Sequence, residues 1–471
     1  MGYRFRRTTL WLMGSLSVIA GVAVARIGWS LNADYVVACC IMLALRGWRR
    51  SWLSLFMIIV AGVGFGWWRG ELYMQTLHRY QTWFYRPVTI TAQAAEDGVY
   101  GQNTQLTFAA ARICLPSGET VAGKMQISGF GLNAVFQGDD VQVTGKLYPS
   151  RGSTQARLSF AQLTLLHHHQ SLASDTKRMF TAGLQSALPE PLASFALGLL
   201  IGQRATLPDD VKQALLMVGL THIIAVSGYN LTIMLHASRG LLAHRSKRLA
   251  TVLSLSLIFG FLALSGLCAS IVRAAIVSVL SIWATYYGRT FKPLQLIMLA
   301  AAITAWANPF YLWGDASWYL SFLAFYGVLI VAPAFMTRLR RFRSSLVLSV
   351  AVESICAELM TLPYVLYAFG QMSFIALPAN IAVVIFVPLA MLLSMIAGLA
   401  GMLVPNLAGW FAWPARLLLT YMLDIAHLFA SLPHVFVQNV GLSMAWMLSF
   451  YGVILGLTLL ARQRQKAAFL L

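Results

Sequence analysis

Within a long apolar run, the stretch HIIAVSGYN (His222 to Asn230) places an imidazole, a hydroxyl, a phenol and a carboxamide in nine residues. Two kinds of chemistry use such groups. A serine served by a histidine base attacks a carbonyl. The segment AVSG (225–228) approaches a GxSG serine motif with Ala225 at the first glycine position, and His427 is the histidine that another apolar segment offers. Alternatively, neutral polar groups hydrogen-bond neighbouring membrane helices or line a wet cavity, where broken backbone is tolerated. Helical spacing bears on the choice. Ser227 and Asn230 are three apart and share a face, and His222 and Tyr229, seven apart, share another. His222 and Ser227 sit about 140° from each other on an unbroken helix, so they are not direct partners there. Gly219 and Gly228 flank the cluster, and a break at either changes that geometry. Helix packing needs one or two such groups; four in nine residues favour the cavity.

Further polar groups interrupt the apolar runs: Arg26, Arg273, Asp315, Glu353, Glu358 and Asp424. An ionisable group inside a bilayer pairs or faces water. Arg273 lies mid-run in CASIVRAAIVSVL, far from either interface, and Glu353 or Glu358 is its expected partner. These groups form a structural ion pair or join the polar path.

The elements that must hold them are membrane helices. Of 471 residues, 59% are hydrophobic and 10% charged, with a mean hydropathy of +0.70, and repeated apolar runs of transmembrane length recur along the chain. A cleaved signal peptide is not expected, because further apolar runs follow the first closely. Three N-terminal spans are read at about 9–28, 34–46 and 51–68, the second of them short. Later spans are read at about 212–237, 250–268, 269–287, 293–307, 318–336, 346–368, 374–400, 415–431 and 443–461. Residues 401–414 look interfacial.

The formal charge of +19 follows this layout. Residues 1–68 carry seven basic residues against one acid, residues 69–185 ten against seven, and residues 186–471 seventeen against seven. Basic loops at 238–248, 288–292, 337–343 and 461–466 all fall on the cytoplasmic side when the spans are threaded alternately. The expectation is a multi-pass protein of the cytoplasmic (inner) membrane with about twelve helices and both termini cytoplasmic. The five cysteines, at 39, 40, 114, 268 and 356, show no CxxC and no metal spacing, and read as small buried hydrophobes.

Residues 69–185 differ in character. Apolar residues alternate over 88–97, 105–113, 124–131, 140–148 and 157–166, with turn residues between them. Five such strands suit a small barrel, with an OB-like fold leading and a small sandwich as the alternative. The His167–His169 tract reads as surface at the domain exit. Downstream, Pro208, Asp209 and Asp210 open a helix. LGLLIG is too short to span and reads as shallow or re-entrant, and 195–237 as a whole reads as an amphipathic hairpin leading into the membrane. The division is a transmembrane segment 1–68, an extracytoplasmic β domain 69–185 with core 86–166, and a channel-type domain 186–471.

Several motifs in order resemble the ComEC family of competence DNA-uptake channels: GLLIGQRATLPDD…GLTHIIAVSGYN, SGLCASIVRAAI, DASWYLSFLAFYGV and ELMTLPYVLYAFGQMSFIALPANIAVVIFVPL. The resemblance assigns His222, Ser227, Gly228, Tyr229, Asn230, Arg273, Asp315, Ser321, Pro363, Asn380 and Pro388 to the family pattern, and with Glu353 and Glu358 these outline a polar path. Many members have a second histidine where this chain has Asn230. The resemblance implies transport of single-stranded DNA into the cytoplasm, with no catalytic residue, cofactor or metal. The OB-like domain would receive DNA through Arg112, Lys124, Lys146, Arg151 and Arg157, with Tyr100, Phe108, Phe130, Phe136 and Phe160 as aromatic candidates. Longer members carry a metallo-β-lactamase-like domain with HxHxDH. Neither that motif nor a GxxxxGK[ST] loop occurs in this sequence. The expected partners are therefore DNA, lipid, an external DNA receptor, a separate nuclease, and a cytoplasmic translocase or single-strand-binding proteins. A small-solute permease and an intramembrane serine hydrolase are the rival classes.

Overall fold

A computed structural model describes residues 7–28, 52–100, 105–121, 123–132, 134–150, 154–168, 172–203, 206–224, 247–265, 269–288, 292–336 and 346–467. They fall into two compact units, Met1–Thr176 with Leu262–Trp318, and Lys177–Phe261 with Tyr319–Leu471. The expected span 34–46 lies outside the described residues.

In the first unit, helices Arg7–Ala25 and Trp52–Gln81 pack along each other. Gly62, Gly66 and Gly70 recur every fourth residue, and each meets the partner helix without a side chain between: Ser17, the Val18 carbonyl and Ala25 respectively. Small residues on one stripe allow this close backbone approach. The second helix runs 30 residues, well past the expected end at 68. The sequence after Trp68 explains this, because RGELYMQTLHRYQ holds good helix formers and no proline.

That helix leads directly into the β domain. The five expected strands form, as β1 (Pro87–Ala94), β3 (Leu106–Cys114), β5 (Met125–Phe130), β6 (Asp140–Pro149) and β7 (Ala156–His167). Two short strands, β2 (Val99–Tyr100) and β4 (Thr120–Val121), add to β3. Pairing closes a ring: β1 with β3, β3 with β5, β5 in parallel with β7, β7 with β6, and β6 with β1. Alternate residues fill its centre, among them Ile90, Phe108, Ile127, Val143, Leu147 and Leu158, each no more than 3% exposed. Tyr80, at the end of the long helix, is fully buried in the same cluster, and the Gln155 carboxamide donates to the Tyr73 hydroxyl. The barrel is thus built onto the helix rather than hung from a linker.

The second unit contains the short helix Leu192–Ile201, whose ten residues are all buried. A helix apolar all round and this short is a core element. The expected span 212–237 is not one helix. Asp209–Met217 and Thr221–Ile224 are separated by a turn at Val218–Gly219, with Gly219 at φ +74°. Helix Ala376–Val384 continues into Val387–Leu403 with a bend of 48°. A two-stranded ribbon joins β8 (Gln371–Ser373) to β9 (Phe436–Gln438).

Among the described residues, four helical segments are long and apolar enough to cross a membrane: Thr8–Ala25, Trp52–Gln81, Ala316–Met336 and Ala351–Phe369. The bent pair makes a fifth if it counts as one span. These helices make the chain a membrane protein. Helices Lys247–Ser265, Ala269–Tyr286, Pro293–Ala307, Ala408–Ala430 and Met444–Ala467 match the other expected spans in sequence but fall outside this group.

Candidate functional site

Arg273 lies on helix Ala269–Tyr286 and is 1% exposed. Its Nη2 donates to Ser270 Oγ at 3.3 Å. Asp315 is an acid whose charge acts on it, an alternative to the expected Glu353 or Glu358. Local packing accounts for its approach. Helix Ala269–Tyr286 contacts Pro293–Ala307, and Trp318 Nε1 donates to Thr304 on that second helix at 3.0 Å, which fixes the residues around Asp315 alongside. Asp315 also caps the helix that follows it: its Oδ1 accepts the Ser317 N–H at 2.9 Å. Arg26, also read as an apolar-run cation, donates to the Trp313 carbonyl at 3.1 Å.

The second unit gathers a separate polar group. Asn380 is buried on Ala376–Val384, and its Nδ2 donates to Glu358 Oε2 at 3.4 Å. Its Oδ1 is buried and accepts no hydrogen bond among the described residues. Ala376, one turn earlier, lies against Gly219, where an added Cβ would come 2.8 Å from the Ala376 Cβ. The same turn directs His222: its Nδ1 lies 3.0 Å from the Gly219 carbonyl. A carbonyl only accepts, so Nδ1 carries the proton in this bond and Nε2 remains for another partner. A Cβ at Gly198 would overlap Ile224, so the buried helix Leu192–Ile201 abuts this turn as well. His222, Asn380 and Glu358 therefore belong to one neighbourhood made of interrupted helices. Glu353, five residues from Glu358 on the same helix, points about 140° away from it. Ser321 lies half-buried on Ala316–Tyr326, and Asp424 is exposed. His427 Nδ1 faces the Leu423 carbonyl of its own helix at 2.9 Å. Ser227, Gly228, Tyr229, Asn230 and Arg151 lie outside the described residues.

On the barrel, the expected basic residues sort into two environments. Lys124 pairs with Glu96 at 3.6 Å, and Arg112 projects from a β3 bulge at φ +49°. Lys146 and Arg157 instead flank the ring of Tyr148 at 5.8 and 5.9 Å, and Tyr85 meets that ring edge-on at 6.0 Å. Of the expected aromatics, Phe108 is core, whereas Tyr100, Phe130 and Phe160 are exposed. Phe136 packs edge-on against His168, whose Nδ1 lies 2.7 Å from the buried Asp139 carboxylate. His168 thus packs onto the barrel through Phe136 and Asp139. Tyr85 and Tyr148 were not legible as site residues. Tyr148 shares a strand face with Lys146 by simple alternation, but its second cation comes from a different strand.

A family model described as Competence protein matches residues 199–465, which covers more than half of the chain and all of the interrupted helices. The chain belongs to the competence protein family. Within that family, it is 26% identical over 215 residues to ComE operon protein 3 of Bacillus subtilis (strain 168). The alignment covers 45% of this chain and 27% of that relative, so it spans about a quarter of the relative's length. No solved structure matches. Every polar-path residue named above falls inside the competence region, and the barrel lies before it.

Proposed function

We propose that this protein is a DNA-uptake channel that moves single-stranded DNA across the cytoplasmic membrane during natural transformation. The observation that carries the reading is the competence match over residues 199–465, which falls on the segment where polar groups, among them the buried Asn380, collect around interrupted helices. Each nucleotide carries a phosphate charge that hydrocarbon excludes. A conduit must therefore be wet and offer hydrogen bonds without holding the strand tightly. Carboxamide and imidazole groups do this, and irregular backbone at membrane depth is tolerated where it lines such a cavity.

The ring order of the five long strands, first–second–third–fifth–fourth–first with the third and fifth parallel, supports the OB-like reading. In this proposal the barrel stands outside the membrane and about twelve crossings complete the chain. Separate proteins supply the receptor, the nuclease and the cytoplasmic pull.

The test is a chromosomal deletion complemented with variants, in which duplex binding and cytosolic arrival of labelled DNA are scored separately. Asn380→Leu and Ser227→Leu are expected to abolish DNA entry while protein levels and external duplex binding persist. Normal transformation by the deletion strain, or an uptake defect for amino acids instead of DNA, would sink the reading.

A further inference from the structure

The barrel has two faces that look alike in composition and differ in what their cations are doing. On the β3–β5 side, Lys124 is paired with Glu96 at 3.6 Å, and Arg79 of the long helix is paired with Glu119, next to β4, at 3.6 Å, while Arg112 stands on the β3 bulge. On the β6–β7 side, Lys146 and Arg157 make no ion pair among the described residues and stand over the Tyr148 ring instead. Register places them together. Tyr148 is the partner of Arg157, and Lys146 is the partner of Ser159, one residue before Phe160.

Two exposed rings border this cluster, and both are held in unusual backbone. Tyr85 is 62% exposed at φ +63°, and Phe160 is 73% exposed at φ +56°. A left-handed conformation is unfavourable for an aromatic residue and persists where surrounding structure imposes it. Both positions show what imposes it. The Tyr85 N–H donates to the Leu147 carbonyl at 2.8 Å, tying the entry of β1 to β6. Phe160 is the extra residue where the β6–β7 register shifts. There β7 lies directly on Gly129, where any Cβ would overlap the Ala161 carbonyl. A bulge re-aims a side chain, and this one turns a phenylalanine out of the barrel.

From this geometry we infer that the outer face of β6 and β7 is a stacking platform for single-stranded nucleic acid. Tyr85 and Phe160 take unpaired bases, and Lys146 and Arg157 take the phosphates between them. Unpaired bases present the flat faces such rings stack on, whereas a duplex hides them. The usual surface of such barrels is their second and third strands, here β3 and β5, where Lys124 at the entry of β5 is paired with Glu96. The inference rests on the uptake reading and adds which face meets the strand and in what form.

The experiment uses the full-length protein in detergent and a fluorescent oligothymidine of about 15 nucleotides, with the matching duplex as comparison. Lys146→Glu combined with Arg157→Glu is expected to weaken single-strand binding about tenfold or more, and to lower the salt slope by about 1.4. The charge-matched pair Arg112→Glu with Lys124→Glu is expected to stay within about threefold of wild type, because screening confines the loss to nearby phosphates. Tyr85→Asn and Phe160→Asn keep a residue that tolerates the left-handed backbone. Each is expected to cost roughly fivefold or more with an unchanged salt slope. The conservative pair Lys146→Arg with Arg157→Lys should bind like wild type, which separates recognition from misfolding.

Equal losses from the two charge-reversal pairs, or duplex binding as tight as single-strand binding, would overturn the platform. If the deletion strain fails to transform but platform variants bind and transform normally, the platform falls and the uptake reading stands.

Discussion

Arg273→Ala is expected to destabilise the first unit by about 3–5 kcal/mol, because it leaves a buried acid without its counter-charge. Arg273 is 1% exposed and Asp315 8% exposed, so neither has bulk water to fall back on. Asp315 retains the Ser317 and Trp318 N–H groups and the charge of Lys124 as partial compensation. The readouts are the melting temperature of the detergent-solubilised protein and its level in the membrane. Adding Asp315→Asn to the Arg273→Ala chain removes the orphaned charge while keeping a good capping side chain, and is expected to recover a substantial part of the loss. A double variant no more stable than the single one would show that Asp315 is not the partner. The same substitutions at Glu353 or Glu358 are expected to give no recovery.

Gly66→Leu is expected to be comparably severe, at about 3 kcal/mol or more. A Cβ at Gly66 would overlap the Val18 carbonyl oxygen, and backbone cannot swing aside as a flexible side chain does. Helices Arg7–Ala25 and Trp52–Gln81 would have to separate, and with them the contacts that fix Trp313, whose Nε1 donates to the Val22 carbonyl at 3.0 Å. Gly452→Ala is the control. Nothing lies within 4 Å of its added methyl, so the change is expected to be neutral or to gain up to about 1 kcal/mol of helix propensity. Melting curves and protease resistance of the two variants check the contrast. Equal behaviour would remove the close-packed helix pair.

The five strands were legible because alternation is a local property: one face of each strand fills the barrel, so apolar residues recur every second position. Their closure was not, since β1–β3 and β5–β7 pairing depends on register over long separations. The Gly62, Gly66, Gly70 stripe was visible in the sequence, but a hydropathy reading counts apolar residues and passes over small ones. Gly219 was legible as a possible break, and its φ of +74° makes it one. Asp315 was not weighed as a partner of Arg273 for a different reason. Glu353 and Glu358 share the one helix Leu346–Phe369, whereas the Trp318–Thr304 hydrogen bond, which hydropathy does not reveal, holds the segment around Asp315 near the helix that packs on Arg273's own. The hydrogen bond from Asn380 to Glu358 joins two residues of one motif that lie on different helices, a link the sequence alone did not draw.

The helix Trp52–Gln81 has one more consequence. At 30 residues it is about 45 Å long, against a hydrocarbon layer of about 30 Å. Its last turns, from Tyr73 to Tyr80, are gripped by the barrel. The β domain therefore rides on a stiff mast with no swivel at its top. Under the uptake proposal, a strand landing there would be presented at one height and one heading, where a loose tether would let it sample a sphere.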